Sequence, residues 1–242
     1  MAELLTLPYP VSGRQAREWG VRARGYERFL DVVVHPAAGR APGRPLRVLD
    51  AGAGTGWLCY RLARLGHQPV ALDRRRDPVD GLGAAAAYAA AGIPFSRVAG
   101  SFQHIPCPDR AFDIVVYSAA IHYSGDLALT LREATRVTAP GGRLAILDSP
   151  FYPRAADGDL LVAEKRSGLV RALGDEAAGL LSLRAIEYLT RARLDDASFS
   201  LGLAWRRHRV WYPLWYELHP LVAALLGRRP PSRFDLWEAT VP

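Results

Sequence analysis

Between residues 46 and 148 short apolar runs alternate with segments of helical spacing. Leu46-Arg47-Val48-Leu49-Asp50 is an apolar run closed by a carboxylate. From Trp57 to Leu65, Leu58, Leu62 and Leu65 fall on one side of a predicted helix. Pro69-Val70-Ala71-Leu72 is a second run, closed by Asp73. Alanine-rich residues 80–91 predict a helix, Arg97–Ala99 a short strand, 101–111 a loop with two prolines, and Phe112–Tyr117 a strand of the buried type. Residues 126–138 align Leu127, Leu131, Ala134 and Val137 on a helix face, and Pro140-Gly141-Gly142 turns into a strand from Arg143 to Asp148. Strands that are apolar on both faces belong to parallel sheets covered on both sides. Their alternation with helices predicts an α/β, doubly wound, mostly parallel sheet.

The flanks follow a different pattern. Residues 11–34 place Trp19, Tyr26, Phe29, Leu30 and Val33 at helical spacing, and 35–45, with three prolines and two glycines, reads as a linker. Beyond Ser149 the expectation is a mixed segment over 150–179 broken at Asp157-Gly158-Asp159. A helix from Leu180 to Leu194, a strand from Phe199 to His208, a helix from Pro213 to Leu226 and a last strand from Phe234 to Val241 follow. One domain over 1–242 is expected, with a helical cap and linker (1–45), a ligand-binding core (46–149) and a region with the last strands (150–242).

The chemistry concentrates in Asp50-Ala51-Gly52-Ala53-Gly54-Thr55-Gly56. A glycine turn between strand and helix lets a ligand approach the backbone closely, and Asp73, closing the next strand, suits a ribose diol. Both a dinucleotide and S-adenosylmethionine fit such a site. The third glycine comes one residue early for the dinucleotide pattern, and Trp57 stands where that pattern packs a glycine. Asp50 repels a pyrophosphate and complements an ammonium or sulfonium, so charge favours S-adenosylmethionine.

Val48-Leu49-Asp50-Ala51-Gly52-Ala53-Gly54-Thr55-Gly56 resembles motif I of the class I S-adenosylmethionine-dependent methyltransferases. Residues 105–115, IPCPDRAFDIV, resemble the "LPFPDxxFDxV" stretch of the small-molecule branch, methyltransferase type 11. Residues 120–123 (AIHY) resemble its "xLHH", and 131–144 its "exxRVLkPGG" segment. The four motifs stand in order across residues 46–149. The resemblance implies a Rossmann-like seven-stranded sheet with flanking helices, and methyl transfer to an O, N or C nucleophile of a small organic acceptor recognised by the 150–230 region. It also implies roles for matching residues: Asp50, Gly52, Ala53 and Gly54 around the methionine part of S-adenosyl-L-methionine, Asp73 on the ribose, Arg74 beside it, Ser101 and Phe102 flanking adenine, and Tyr117 facing the methionine end. His122 would sit near the methyl group, as a general base or as part of the pocket wall. Ser101 departs from the aspartate frequent there and is a weaker acceptor. Arg74 stands where dinucleotide enzymes accept a 2′-phosphate, which keeps an NADP-dependent oxidoreductase as a remote alternative. Transfer to RNA or protein, and cofactor binding without transfer, are the nearer ones. Residues 117–123, YSAAIHY, lack the (N/D/S)-P-P-(Y/F) motif that this resemblance requires of nucleobase amino methyltransferases.

Composition changes this picture little. The net charge is +7, but Lys165 is the single lysine among 31 basic residues and the arginines are scattered. Biased composition therefore explains the charge better than a nucleic-acid partner. Cys59 and Cys107 are too few for a disulfide framework or a four-cysteine zinc site, and no metal is expected. No run approaches the ~18 apolar residues of a membrane span and no signal pattern opens the chain, so a cytoplasmic location and no membrane partner are expected.

Overall fold

The computed structural model describes residues 2–9, 16–182 and 184–242. The strands are β1 (Arg47–Ala51), β2 (Gln68–Asp73), β3 (Ser96–Ala99), β4 (Phe112–Ser118), β5 (Thr138–Leu147), β6 (Arg206–His208) and β7 (Leu236–Thr240). The helices are α1 (Ala2–Thr6), α2 (Ala16–Phe29), α3 (His35–Arg40), α4 (Trp57–Arg64), α5 (Ala86–Ala90), α6 (Leu127–Val137), α7 (Ala155–Leu173), α8 (Ala177–Leu181), α9 (Arg191–Ser198), α10 (Leu214–Glu217) and α11 (His219–Leu225).

The sheet has seven strands in the order β3-β2-β1-β4-β5-β7-β6. The first five run parallel, and β7 lies antiparallel between β5 and β6. The strand order reverses between β1 and β4, and in open α/β sheets ligands bind at the carboxyl ends beside such a reversal.

The apolar runs divide between two cores because successive side chains face opposite ways. Leu49, Val115, Tyr117, Leu144 and Ile146 pack with Leu131 and Ala134 of α6 and Leu194 of α9. Val48, Ile114, Val116, Ala145 and Leu147 pack on the other face with Val21, Tyr26 and Phe29 of α2 and Leu58 and Leu62 of α4. This two-sided burial is the doubly wound architecture expected from the sequence.

Several local expectations are corrected. The linker shrinks to 41–45, because α3 carries the helical run on through Pro36 to Arg40. A π-helical turn, Leu30–Val34, joins α3 to α2. Residues 11–15 of the expected first helix lie outside the described residues. Asp157-Gly158-Asp159 is no break but part of the first turns of α7. Arg154 donates to both Asp157 oxygens, Tyr188 Oη donates to Asp159 (2.6 Å), and the Tyr188 ring lies 2.3 Å from where a Cβ on Gly158 would stand. The expected helix over 180–194 is interrupted because residues 186–189 bond elsewhere: Ile186 N to Ser124 O, Glu187 N to His122 O and Leu189 N to Pro150 O (each 2.9 Å). Thr190 then caps α9 through Arg193 N. The expected strand from Phe199 shrinks to β6, and the helix from Pro213 divides into α10 and α11.

Candidate functional site

The turn after β1 is drawn over the carboxyl end of β2. Gly52 N and Ala53 N both donate to Leu72 O (2.7 and 3.0 Å). Gly52 has φ +84, and a Cβ there would lie 2.5 Å from Ala120 Cβ and 3.0 Å from the Phe102 ring. Only glycine satisfies both the dihedral and the contact. Gly54 N donates to Asp73 Oδ2 and Arg75 N to Asp73 Oδ1, each at 2.8 Å. The Asp73 carboxylate is thus fixed at the rim of the turn with lone pairs remaining.

Asp50 lies beneath the turn and is buried. Its Oδ2 receives a thiol hydrogen bond from Cys59 at 3.6 Å, and its Oδ1 has no hydrogen-bond partner. Burial pushes its carboxyl up to about 7, since a charge without water or counter-ion is costly. Cys59 is the thiol against this carboxylate, and burial raises it well above its ordinary value.

Gly100 N donates to Asp73 O (3.1 Å), which brings Ser101 and Phe102 beside the end of β2. Ser101 Oγ accepts from Gln103 N (3.3 Å). Phe102 stands edge-on to Tyr117 at 5.6 Å. Tyr117 lies within β4, as the strand expected over Phe112–Tyr117 has it, but its ring departs from the place expected of it at the methionine end. It is wholly buried, with its hydroxyl towards Thr130 O of α6 (3.5 Å), and it supports Phe102 from below instead of facing a ligand. Arg74 is exposed and forms no hydrogen bond or ion pair among the described residues.

His122 is buried in the short helical turn after β4. Its Nδ1 lies 3.3 Å from Ser149 Oγ, and Tyr123 packs against it at 4.2 Å. Burial, then the charges of Lys165 and Arg22, lower its pKa to about 4, so the imidazole is neutral at ordinary pH. Asp148, directly after β5, was not singled out from sequence. It is buried, with Oδ2 3.5 Å from Ser118 Oγ and Oδ1 unpartnered. Burial pushes it up to about 7 against the opposing pull of Arg22. The available signal was its position: like Asp50 and Asp73, it is a carboxylate at the carboxyl end of a parallel strand.

Helix α2 closes over this edge. Trp19 and Tyr26 stand edge-on to Trp57 (5.6 and 5.7 Å), Arg22 stacks on Trp19 (4.8 Å), and Gly25 passes so close that a Cβ would lie 2.8 Å from Asp148 Oδ1. The aromatic residues near the C-terminal end differ in exposure: Trp205 is buried and donates to Ser198 Oγ (3.0 Å), whereas Trp211 and Trp215 are exposed. No group of three or more potential metal ligands occurs among the described residues.

A glycine cradle at the strand-order reversal, two carboxylates beside it and an antiparallel seventh strand define the class I methyltransferase architecture. Comparison with known proteins agrees. The family described as "Methyltransferase domain" matches residues 49–146. The chain is 35% identical over 219 residues to demethylmenaquinone methyltransferase of Mycolicibacterium paratuberculosis, covering 87% of each chain. It is 34% identical over 135 residues to malonyl-[acyl-carrier protein] O-methyltransferase of Erwinia pyrifoliae, covering 54% of this chain and 47% of that one, so it spans about half of that relative. In fold it resembles the crystal structure of geranyl diphosphate C-methyltransferase from Streptomyces coelicolor A3(2), solved with Mg2+, geranyl diphosphate and S-adenosyl-L-homocysteine (TM-score 0.62, 12% identity, covering 100% of this chain and 88% of that one). The chain belongs to the class I S-adenosylmethionine-dependent methyltransferases.

Proposed function

We propose that the chain transfers a methyl group from S-adenosylmethionine to a nucleophile of a small organic acceptor, with the cofactor in the cradle between β1 and α4. The observation that carries this reading is the unpartnered, buried Asp50 Oδ1 beside the glycine turn. Such an oxygen repels a pyrophosphate and complements a ligand bearing ammonium and sulfonium charge. Asp73 accepts from the ribose hydroxyls, its carboxylate already oriented by Gly54 N and Arg75 N. Ser101 and Phe102 flank the adenine, and Arg74, exposed directly after Asp73, lies beside the ribose.

S-adenosylmethionine supplies a methyl group on a positively charged sulfur, activated before it arrives. The protein's task is alignment and exclusion of water. Helix α2 and the 186–189 segment cover the edge where the acceptor would lie. His122, with Nδ1 engaged by Ser149, leaves Nε2 to accept a hydrogen bond from the acceptor's nucleophile. With a pKa near 4 it orients that group and holds a transferred proton poorly.

Demethylmenaquinone is the first acceptor to test, given the relative aligned over most of both chains. Transfer of label from methyl-tritiated S-adenosylmethionine into an extractable acceptor supports the reading. Tight cofactor binding with no transfer to any acceptor, RNA and protein included, would leave a non-catalytic binding protein in its place.

A further inference from the structure

Within residues 211–226, Trp211, Leu214, Trp215, Leu218, Leu221, Val222, Leu225 and Leu226 form an apolar surface that none of the described residues covers. None of the seven residues of α11 is buried, although the helix reads HPLVAAL. Trp211 is 68% exposed, Leu214 73%, Leu221 62% and Leu225 87%, with Trp215 and Leu226 beside them. A cleft of about 730 Å³ between α11 and α7, lined in part by Leu160, Val222 and Leu226, extends the surface. Contiguous exposure on this scale marks an interaction site.

The charge around it narrows the partner. Between residues 206 and 233 stand six arginines: Arg207, Arg229 and Arg233 pair with Asp235, Glu164 and Glu217, and Arg209 reaches Glu217 at 3.4 Å, which leaves Arg206 and Arg228 exposed and without an ion pair among the described residues. Glu217 is turned inward, accepting from Arg233 (3.0 Å) and from Tyr212 N (3.2 Å). The Arg209 guanidinium lies 3.9 Å over the Trp211 ring, and that of Arg17 on α2 5.8 Å over the Trp215 ring. Arg228 follows α11, exposed and without an ion pair among the described residues. Exposed tryptophan and leucine edged by arginine suit the boundary between headgroups and acyl chains. A second copy fits poorly, because it would bring two arginine-rimmed faces together. The run is too short to cross a bilayer, which is why the sequence set a membrane aside. Lying in the plane of the interface needs no such length.

We propose that the 211–226 face docks the protein onto anionic phospholipid bilayers, with α11 in the interfacial layer and the arginines on the headgroups. The test is partition of the full chain into vesicles of phosphatidylcholine alone and of phosphatidylcholine with phosphatidylglycerol, read by sedimentation and tryptophan emission. The expected result is a blue shift and binding that favours phosphatidylglycerol and weakens with salt. The double variant Leu221→Asp, Leu225→Asp loses binding while its melting temperature and cofactor affinity are unchanged. Arg228→Ala, which leaves the apolar face intact, lowers partition into anionic vesicles about fivefold. No binding to either vesicle overturns the proposal, as does equal binding by the double variant. A micromolar dimer that the double variant dissociates also overturns it, and makes the second copy the occupant.

Discussion

Asp50, Asp73 and Asp148 all lie at carboxyl ends of parallel strands, yet their surroundings divide them. Asp73 has backbone N–H donors on both oxygens, while Asp50 and Asp148 each keep one oxygen unpartnered in the interior. Both buried carboxyls stand at about 7, above their unfolded value. Each therefore favours folding only when protonated: the contribution is full below about pH 4 and is lost as pH rises towards 7. Asp148→Asn is expected to raise the melting temperature at pH 8 by several degrees, given ~1.4 kcal/mol per pKa unit, and to change it little at pH 4. Equal gains at both pH values in thermal denaturation would contradict this. Asp50→Asn is expected to stabilise the protein in the same sense but to weaken S-adenosylmethionine binding, because the site then lacks its negative charge. Asp73→Ala removes a charge-assisted acceptor worth ~1.5–3 kcal/mol. Cofactor affinity should fall by about one to two orders of magnitude, and unchanged affinity would remove Asp73 from the site. His122→Ala should lower kcat without moving the pH profile between 5 and 8, because its imidazole titrates near 4. An activity limb near pH 6.5 that the variant abolishes would instead make His122 a proton acceptor.

The elements divide by how they are stabilised. Strands β1, β2, β4 and β5 and helices α4 and α6 were legible because each buries an apolar pattern of its own: two-sided in the strands, one stripe in α6. The glycine cradle was legible because Asp50, Gly52, Gly54 and Asp73 serve local geometry. Helix α7 was not, because it has no apolar stripe; only Asp157 and Gly158 of it are buried. Its Asp157-Gly158-Asp159 start reflects contacts with Arg154 and Tyr188, distant in kind from a turn signal. The 186–189 segment was equally hidden, since its hydrogen bonds go to His122, Ser124 and Pro150. The direction of the Tyr117 ring was hidden for a related reason: its motif marks the end of β4, and only packing shows that the ring points into the core. Gly158→Ala tests the link between these elements. A Cβ inside the Tyr188 ring must displace the strap that holds His122 and Ser124. Turnover should fall, with destabilisation of ~1–3 kcal/mol and cofactor affinity retained. Loss of affinity with turnover intact in steady-state kinetics would contradict that coupling.

For the whole molecule, the sheet order puts Asp50, Asp73 and Asp148 on one edge. The reversal between β1 and β4 opens the crevice, β2 contributes Asp73, β5 leads into Asp148, and α2 crosses above them. Arg17 of the same helix reaches Trp215, so the cover of the site adjoins the apolar 211–226 face. Among the described residues no helix is long and apolar enough to cross a membrane, and the proposed bilayer contact is an in-plane one. The central claim, a cradle built for a cationic adenosyl ligand, is tested most directly by calorimetric titration of the purified chain with S-adenosylmethionine, S-adenosylhomocysteine and NADPH. The account predicts micromolar binding of the first two and none of the third. Binding of NADPH alone would contradict it and make Arg74, exposed beside Asp73, the residue that defines the ligand.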